Sequence, residues 1–278
     1  MNSEREEDPN KFGFHKIPLV GPGVEKFIES KLSKFDHLVA ITSLKEAILQ
    51  VLTKWKVDIS IDLPLSTKEA MSKGPVLLIA THQFHLDMLA VIAGLPESRK
   101  DIKCFANADF LNMGKAVSEY LIPVYGVGNQ ETTKWWSNVW RKYGFGLPTM
   151  PVEEASQKNM ESVKEAEGFL QSGGVFLIFP DGSRDEKEDW FSGFGVLMKK
   201  LTKKAPRTQV IFLSTAGASF KDSLRILGPT RFVFRKKRLF LNYSGPYKIT
   251  ELVDPKLKGR EIASSLQEAY RSFAAKVL

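Results

Sequence analysis

Val76-Leu77-Leu78-Ile79-Ala80 is an unbroken apolar run that begins directly after Gly74-Pro75. A strand with one wet face alternates apolar and polar residues, whereas an unalternating run suits a strand covered on both faces. Covering both faces of a sheet takes helices on each side, which is the architecture of α/β proteins. Short runs of the same kind recur at 102–106, 122–125, 175–179 and 210–214, and residues 57–61 read as an edge strand. Between them lie stretches of helical period, such as 154–171 with Val163, Ala166, Phe169 and Leu170, ending at Gly173-Gly174. The expected fold is therefore α/β, with a single mixed, mostly parallel sheet flanked by helices and an N-terminal helical element.

That N-terminal element is read over 24–55, where Ile41, Leu44, Ile48, Leu52 and Trp55 share one face at spacings of three and four. Ser43-x-x-Glu46 has the form of a capping box. Residues 1–66 are assigned to a lead-in with this helical element, and 67–278 to the main domain. A closing amphipathic helix over 259–276 carries Ile262, Leu266, Ala269, Tyr270 and Phe273 on one face. Residues 231–234 and 239–243 flank Arg235-Lys236-Lys237-Arg238 and resemble a hairpin.

Composition narrows the function classes. With 278 residues, 43% hydrophobic and 26% charged, the chain is long enough to bury roughly three quarters of its unfolded surface without disulfide or metal. Its one cysteine, Cys104, lies in an apolar run and reads as a buried structural thiol in a reducing compartment. The first ten residues are polar and acidic and do not have the order of a signal peptide. No apolar run approaches the ~20 residues of a membrane-spanning helix. The net charge of +8 suits anionic partners, yet no nucleic-acid module and no zinc spacing accompanies it. The expectation is a cytoplasmic protein, peripheral on a membrane, without a transmembrane segment and with no nucleic-acid partner.

Chemistry concentrates where two of the apolar runs end. The first runs into Thr81-His82-Gln83-Phe84-His85-Leu86-Asp87. Loops beyond the carboxyl ends of strands are where α/β sheets bind ligands. A histidine there titrates near neutrality and is suited to general-base work. A carboxylate five positions on, at the start of a helix, can fix its tautomer and balance the imidazolium. The second run ends in Phe179-Pro180-Asp181-Gly182-Ser183-Arg184. Gly182 allows a sharp turn, Ser183 offers a hydroxyl, and Arg184 a planar fork for phosphate or carboxylate. The bland alternatives are a loop histidine capping a carbonyl and a surface turn with a solvated arginine.

The two motifs together resemble those of the glycerolipid acyltransferases, the glycerol-3-phosphate and 1-acylglycerol-3-phosphate (lysophosphatidate) acyltransferases. His82 and Asp87 match the family's His-x-x-x-x-Asp block, and Phe179 to Arg184 match its Phe-Pro-Glu-Gly-Thr-Arg block. Ser244-Gly245-Pro246-Tyr247 is similar to a later Gly-x-Pro-Ile-like strand end. The resemblance spans about residues 70–250. It implies transfer of a fatty acyl group from an acyl-CoA or acyl-ACP (acyl carrier protein) thioester to a glycerolipid hydroxyl, with His82 as base and Asp87 as its partner. Asp181, Gly182, Ser183 and Arg184 would form the acceptor site, with no metal and no redox cofactor. The departures are Asp181 for Glu, Ser183 for Thr, and no proline within 210–214. The stretch matching the second block, Leu121-Ile122-Pro123-Val124-Tyr125-Gly126-Val127-Gly128, also lacks the family's arginine. One charge-assisted hydrogen bond contributes roughly 1.5–3 kcal/mol, enough to shift acceptor preference.

The rivals are a thioester or ester hydrolase on the same site and a non-catalytic peripheral lipid-binding protein. No Gly-x-Ser-x-Gly elbow accompanies the first. His85 with His82 forms a His-x-x-His pair, but the further ligands of a metal site are not evident. Trp135, Trp136, Trp140, Tyr143 and Phe145, interleaved with Lys134, Arg141 and Lys142, read equally as a core-packing helix and as a membrane or acyl-chain contact. The basic cluster Arg231, Arg235, Lys236, Lys237 and Arg238 reads as a solvated hairpin tip or a site for anionic lipid or coenzyme A phosphates.

Overall fold

The computed structural model describes residues 22–81, 85–96, 99–127, 149–182, 189–219 and 236–277, the side chains of 22–29, 85, 109 and 149 excepted. They divide into two compact units: residues through Ile41 with Ala106–Ser162, and Thr42–Phe105 with Val163 onward.

The expected helix over 24–55 is two helices, α1 (Pro22–Ile41) and α2 (Leu44–Lys54). Ser43 breaks them. Its backbone is fully extended, at φ −166° and ψ 165°, and its hydroxyl accepts the Glu46 N–H. It thereby satisfies an N-terminal donor that α2 leaves open. Ile41, placed by periodicity on the face of Leu44, ends α1 and is 65% exposed, while Leu44, Ile48 and Leu52 are buried.

Most strands of the sheet lie in the larger unit. There they are β1 (Val57–Asp62), β2 (Val76–Ala80), β3 (Ile102–Asn107), β7 (Val175–Ile178), β8 (Gln209–Ala216), β9 (Lys237–Tyr243) and β10 (Tyr247–Lys248). They run in the order β1-β9-β8-β2-β7-β3, with β10 extending the pairing along β8. The β1-β9, β8-β2, β2-β7 and β7-β3 pairs are parallel; β9 and β10 lie antiparallel to β8. The sheet is thus mixed and mostly parallel, with β1 at an edge as read from the sequence. Every residue of β2 and β7 is buried.

Both faces of the sheet are covered. Helix α3 (Leu65–Ser72) precedes β2, and α4 (His85–Ala93) follows it. Gly94, just past α4, sits so close to Leu241 and Tyr243 of β9 that a Cβ there would meet both. On the opposite face, Phe212 packs edge-on against Tyr270 of α9 (Gly259–Val277), rings 5.9 Å apart. Phe212 and Leu213 alternate, and Leu213 is the registered partner of Tyr243, so α4 and α9 cover opposite faces. Helix α7 (Ser192–Lys204) packs tightly on α9: a Cβ at Gly195 would stand 1.8 Å from the Gly259 carbonyl oxygen.

Between β9 and β10 the ladder slips by one residue. Leu213 pairs with Tyr243, but Val210 pairs with Tyr247. Four residues on one strand thus span three on the other, which is a bulge. Ser244 fills it. Its N–H donates to the Phe212 carbonyl at 2.9 Å, and its hydroxyl accepts the Phe212 N–H at 2.9 Å. Thr67 of α3 closes the arrangement by donating to the Ser244 carbonyl at 2.6 Å.

The smaller unit contains α1, a 3-10 helix (Ala108–Met113), α5 (Lys115–Ser118), β4 (Leu121–Val124) and a two-stranded parallel ladder of β5 (Gly126–Val127) with β6 (Thr149–Met150). Helix α6 (Val152–Gln171) begins there. Asp36 of α1 accepts the Val117 N–H at 2.9 Å. Asn159 of α6 holds Tyr125 by both backbone groups, accepting from its N–H at 2.8 Å and donating to its carbonyl at 2.9 Å. A side-chain amide here takes the place of a strand partner. The last short helix, α8 (Ile249–Leu252), follows β10. Among the described residues, no helix is long and apolar enough to cross a membrane.

Candidate active site

The two motif loops leave neighbouring strands at the same end of the sheet. β2 and β7 are parallel partners, with Ile79 opposite Ile178. His82 follows Ile79 by three positions and Asp181 follows Ile178 by three. The strands are apolar because both of their faces are covered. Polar residues begin where the ladder stops, since only there can they reach solvent or a ligand.

His82, Gln83 and Phe84 lie outside the described residues, as does the side chain of His85. On one side of them is Thr81, the first residue past β2; on the other, α4 starts at His85. Asp87 sits in the first turn of α4 and is 2% exposed. A carboxylate at that end of a helix is favoured by the macrodipole. Its burial demands interactions, and Asp87 has them.

The second motif forms a turn whose stem closes on itself. Gly182 donates its N–H to the Phe179 carbonyl at 3.1 Å, and Phe191 donates to the Pro180 carbonyl at 3.1 Å. Phe191 returns the chain to α7, so both ends of the loop are held together. Gly182 has φ +54°, in the left-handed region, and the Phe191 ring lies 2.5 Å from where a Cβ would stand. Asp181 is buried at 2% exposure and, like Asp87, is engaged. Ser183 and Arg184 lie outside the described residues. The structure thus brings together Asp181, Gly182 and the root of the His82 loop at one sheet end, with Asp87 on the helix that follows that loop.

Two buried polar side chains, not singled out as site residues from the sequence, support these loops from α9. The Tyr270 hydroxyl lies 3.0 Å from Thr81 Oγ1 and donates to the Leu213 carbonyl at 3.1 Å. Gln267, one turn earlier, accepts the Trp190 N–H through Oε1 at 3.3 Å. The signal available in the sequence was a glutamine on the buried stripe of an amphipathic helix, a placement that demands a partner.

Other candidate residues fall elsewhere. The Trp135 to Phe145 cluster lies outside the described residues, as do Arg231, Arg235 and the first arm of the expected hairpin. Lys236 pairs with Asp58 of β1 at 2.7 Å. Cys104 is buried, and burial pushes its thiol up to about 12. Such a thiol is protonated at neutral pH and unsuited to nucleophilic work.

No curated protein matches the chain. Among solved structures, it is similar to the 1-acyl-sn-glycerophosphate acyltransferase PlsC from Thermotoga maritima, at a TM-score of 0.41 and 15% identity, covering 91% of this chain and 96% of that one. The model of the Acyltransferase family matches residues 62–206, which run from the end of β1 through both motif loops and beyond α7. With more than half of its length matched, this chain belongs to the Acyltransferase family.

Proposed function

We propose that this acyltransferase moves a fatty acyl group from an acyl-CoA or acyl-ACP thioester to a hydroxyl of a glycerolipid precursor: glycerol-3-phosphate, 1-acylglycerol-3-phosphate or a related lipid alcohol. Residues 67–278 form the acyltransferase domain in this reading. The observation that carries it is the in-register pairing of β2 with β7, from which both motif loops leave side by side.

His82 takes the proton from the acceptor hydroxyl as its oxygen attacks the thioester carbonyl. The tetrahedral intermediate collapses, the carbon–sulfur bond breaks, and the imidazolium returns the proton to the departing thiolate. Asp87, buried on α4, supports the imidazolium charge. Asp181, Gly182, Ser183 and Arg184 shape the acceptor site, with Arg184 suited to a phosphate. The thioester is a co-substrate, and the chemistry needs no metal. The absent second-block arginine weakens the case for a phosphorylated acceptor, so lipid alcohols stand beside glycerophosphates. The enzyme would work in the cytoplasm at a membrane surface, where its lipid acceptors reside.

The test is incubation with labelled acyl-CoA or acyl-ACP and a lipid extract, followed by mass spectrometry. Labelled ester on a lipid hydroxyl is expected, abolished by His82→Ala with the fold intact. Label recovered only as free acid would replace transfer with hydrolysis. Full transfer by His82→Ala would overturn the mechanism.

A further inference from the structure

We infer that Tyr270, on the C-terminal helix α9, is a positioning residue for His82, setting the height at which the first loop leaves the sheet; this rests on His82 being the base. The β2-β8 pairing ends at Ala80 opposite Leu213. Thr81 is therefore the first residue without a ladder partner, and His82 is bonded directly to it.

At that point Tyr270 replaces the ladder. Its hydroxyl carries one proton, which it gives to the Leu213 carbonyl at 3.1 Å. Thr81 must then be the donor in the 3.0 Å contact between the two hydroxyls. The chain of donation runs from Thr81 to Tyr270 to Leu213. It ties the residue before His82 to the carbonyl of the last β8 residue that pairs with β2. The phenol is only 4% exposed, and its ring is held by Trp190, Phe212 and Phe273.

Trp190 adds a second contact of the same kind. It stands at the stem of the loop that carries Ser183 and Arg184, and its N–H is held by Gln267, three residues before Tyr270 on the same face of α9. One turn of one helix thus grips the roots of both motif loops. A device meant only to hold α9 on the sheet would need the apolar contacts of Ile262, Leu266 and Phe212. It would not need hydroxyl bonds spent on the residue beside the base.

The experiment compares Tyr270→Phe, Thr81→Val and the double variant with wild type and His82→Ala, reading kcat, KM for both substrates and melting temperature. Both single changes keep shape and packing and remove the Thr81–Tyr270 bond; Tyr270→Phe removes the bond to Leu213 as well. Each should lower kcat on the order of tenfold or more with KM near wild type, and Thr81→Val, which leaves the Leu213 bond in place, should also keep the wild-type melting temperature. The double variant should be no slower than the worse single one, and Thr81→Ser, which keeps the hydroxyl, should restore the rate. Where Tyr270→Phe fails to fold, the Thr81→Val and Thr81→Ser pair gives the same reading. A wild-type kcat in Thr81→Val or Tyr270→Phe, or losses that multiply in the double variant, overturns the inference while leaving the His82 mechanism standing if His82→Ala is inactive. A fully active His82→Ala overturns both.

Discussion

Arg99 and Asp101 meet as a two-pronged ion pair, Nε to Oδ1 at 2.8 Å and Nη2 to Oδ2 at 2.7 Å. The same guanidinium donates to the carbonyls of Met71, Gly74 and Gly173 at 3.0, 2.9 and 2.6 Å. It therefore ties the end of α3 and the turns entering β2 and β7, the two strands that carry the motif loops. Asp101 is half exposed, so the ion pair itself contributes under ~1 kcal/mol. The carbonyls matter more: the bond to Met71 is buried and those to Gly74 and Gly173 are half-buried, and leaving a buried acceptor unsatisfied costs roughly 1–3 kcal/mol. Arg99→Met should lower stability in urea denaturation by about 3 kcal/mol or more, and Arg99→Lys by nearly as much, because an ammonium cannot reproduce the fork. Asp101→Asn should cost far less. Equal losses for Arg99→Met and Asp101→Asn would show the ion pair to be the main term.

The seam between α7 and α9 depends on Gly195, where a Cβ would lie 1.8 Å from the Gly259 carbonyl oxygen and 3.1 Å from the Ala263 nitrogen. Those are backbone atoms and cannot turn aside. Gly195→Ala should destabilise the protein by about 1–3 kcal/mol or more as the helices are pushed apart. Gly193, in the first turn of the same helix with nothing within 4 Å of a Cβ, is the control. There alanine should raise stability by about 0.5–1 kcal/mol through the unfolded chain. Comparable melting temperatures for the two variants would contradict the packing.

What the sequence showed was what local chemistry decides. β2 is legible to the residue and β7 to within one, because unalternating apolar runs bounded by glycine leave little freedom. The N-cap at Ser43 is legible too, yet the period of three and four runs on through Ile41, since periodicity continues where the backbone does not. The β9-β10 bulge was not legible, because it is defined by a register against β8 and by Thr67 far away in sequence. Arg99 and Tyr270 escape for the same reason: the carbonyls that Arg99 holds lie 25 to 74 positions off and Thr81 lies 189 from Tyr270. Asp87 is a candidate from its spacing to His82 and Asp181 from the resemblance to the family's Phe-Pro-Glu-Gly-Thr-Arg block, but the burial of neither is legible, since it depends on which helices cover the sheet.

Cys104 offers a test of the core by pH. Burial pushes its thiol from an ordinary value of 9.0 up to about 12. The fold therefore favours the protonated form. Stability from this source is intact below pH 9 and is lost as pH rises towards 12. At pH 8 the native thiol stays protonated and is shielded by the core, so a disulfide reagent should scarcely label the folded protein. In denaturant the single cysteine should react at once, one equivalent per chain. Fast native labelling at pH 8 would place Cys104 outside the core.

Gly182 separates two causes of glycine dependence. Its φ of +54° penalises any residue with a Cβ, by roughly 1–2 kcal/mol for alanine. The Phe191 ring, 2.5 Å from the Cβ position, adds a collision. The ring is 40% exposed, and the contact is with its outer edge, so a small rotation relieves it. The backbone angle has no such escape, because the Gly182 N–H and the Phe191 N–H are both committed to closing the stem. The backbone cause should therefore win. Gly182→Ala should lower acyl transfer about tenfold by displacing Ser183 and Arg184. Phe191→Ala in the same chain should not restore it. Gly182→Asn, larger than alanine but more tolerant of the left-handed region, should retain more activity than Gly182→Ala. Rescue by Phe191→Ala, with asparagine worse than alanine, would make the collision the cause instead.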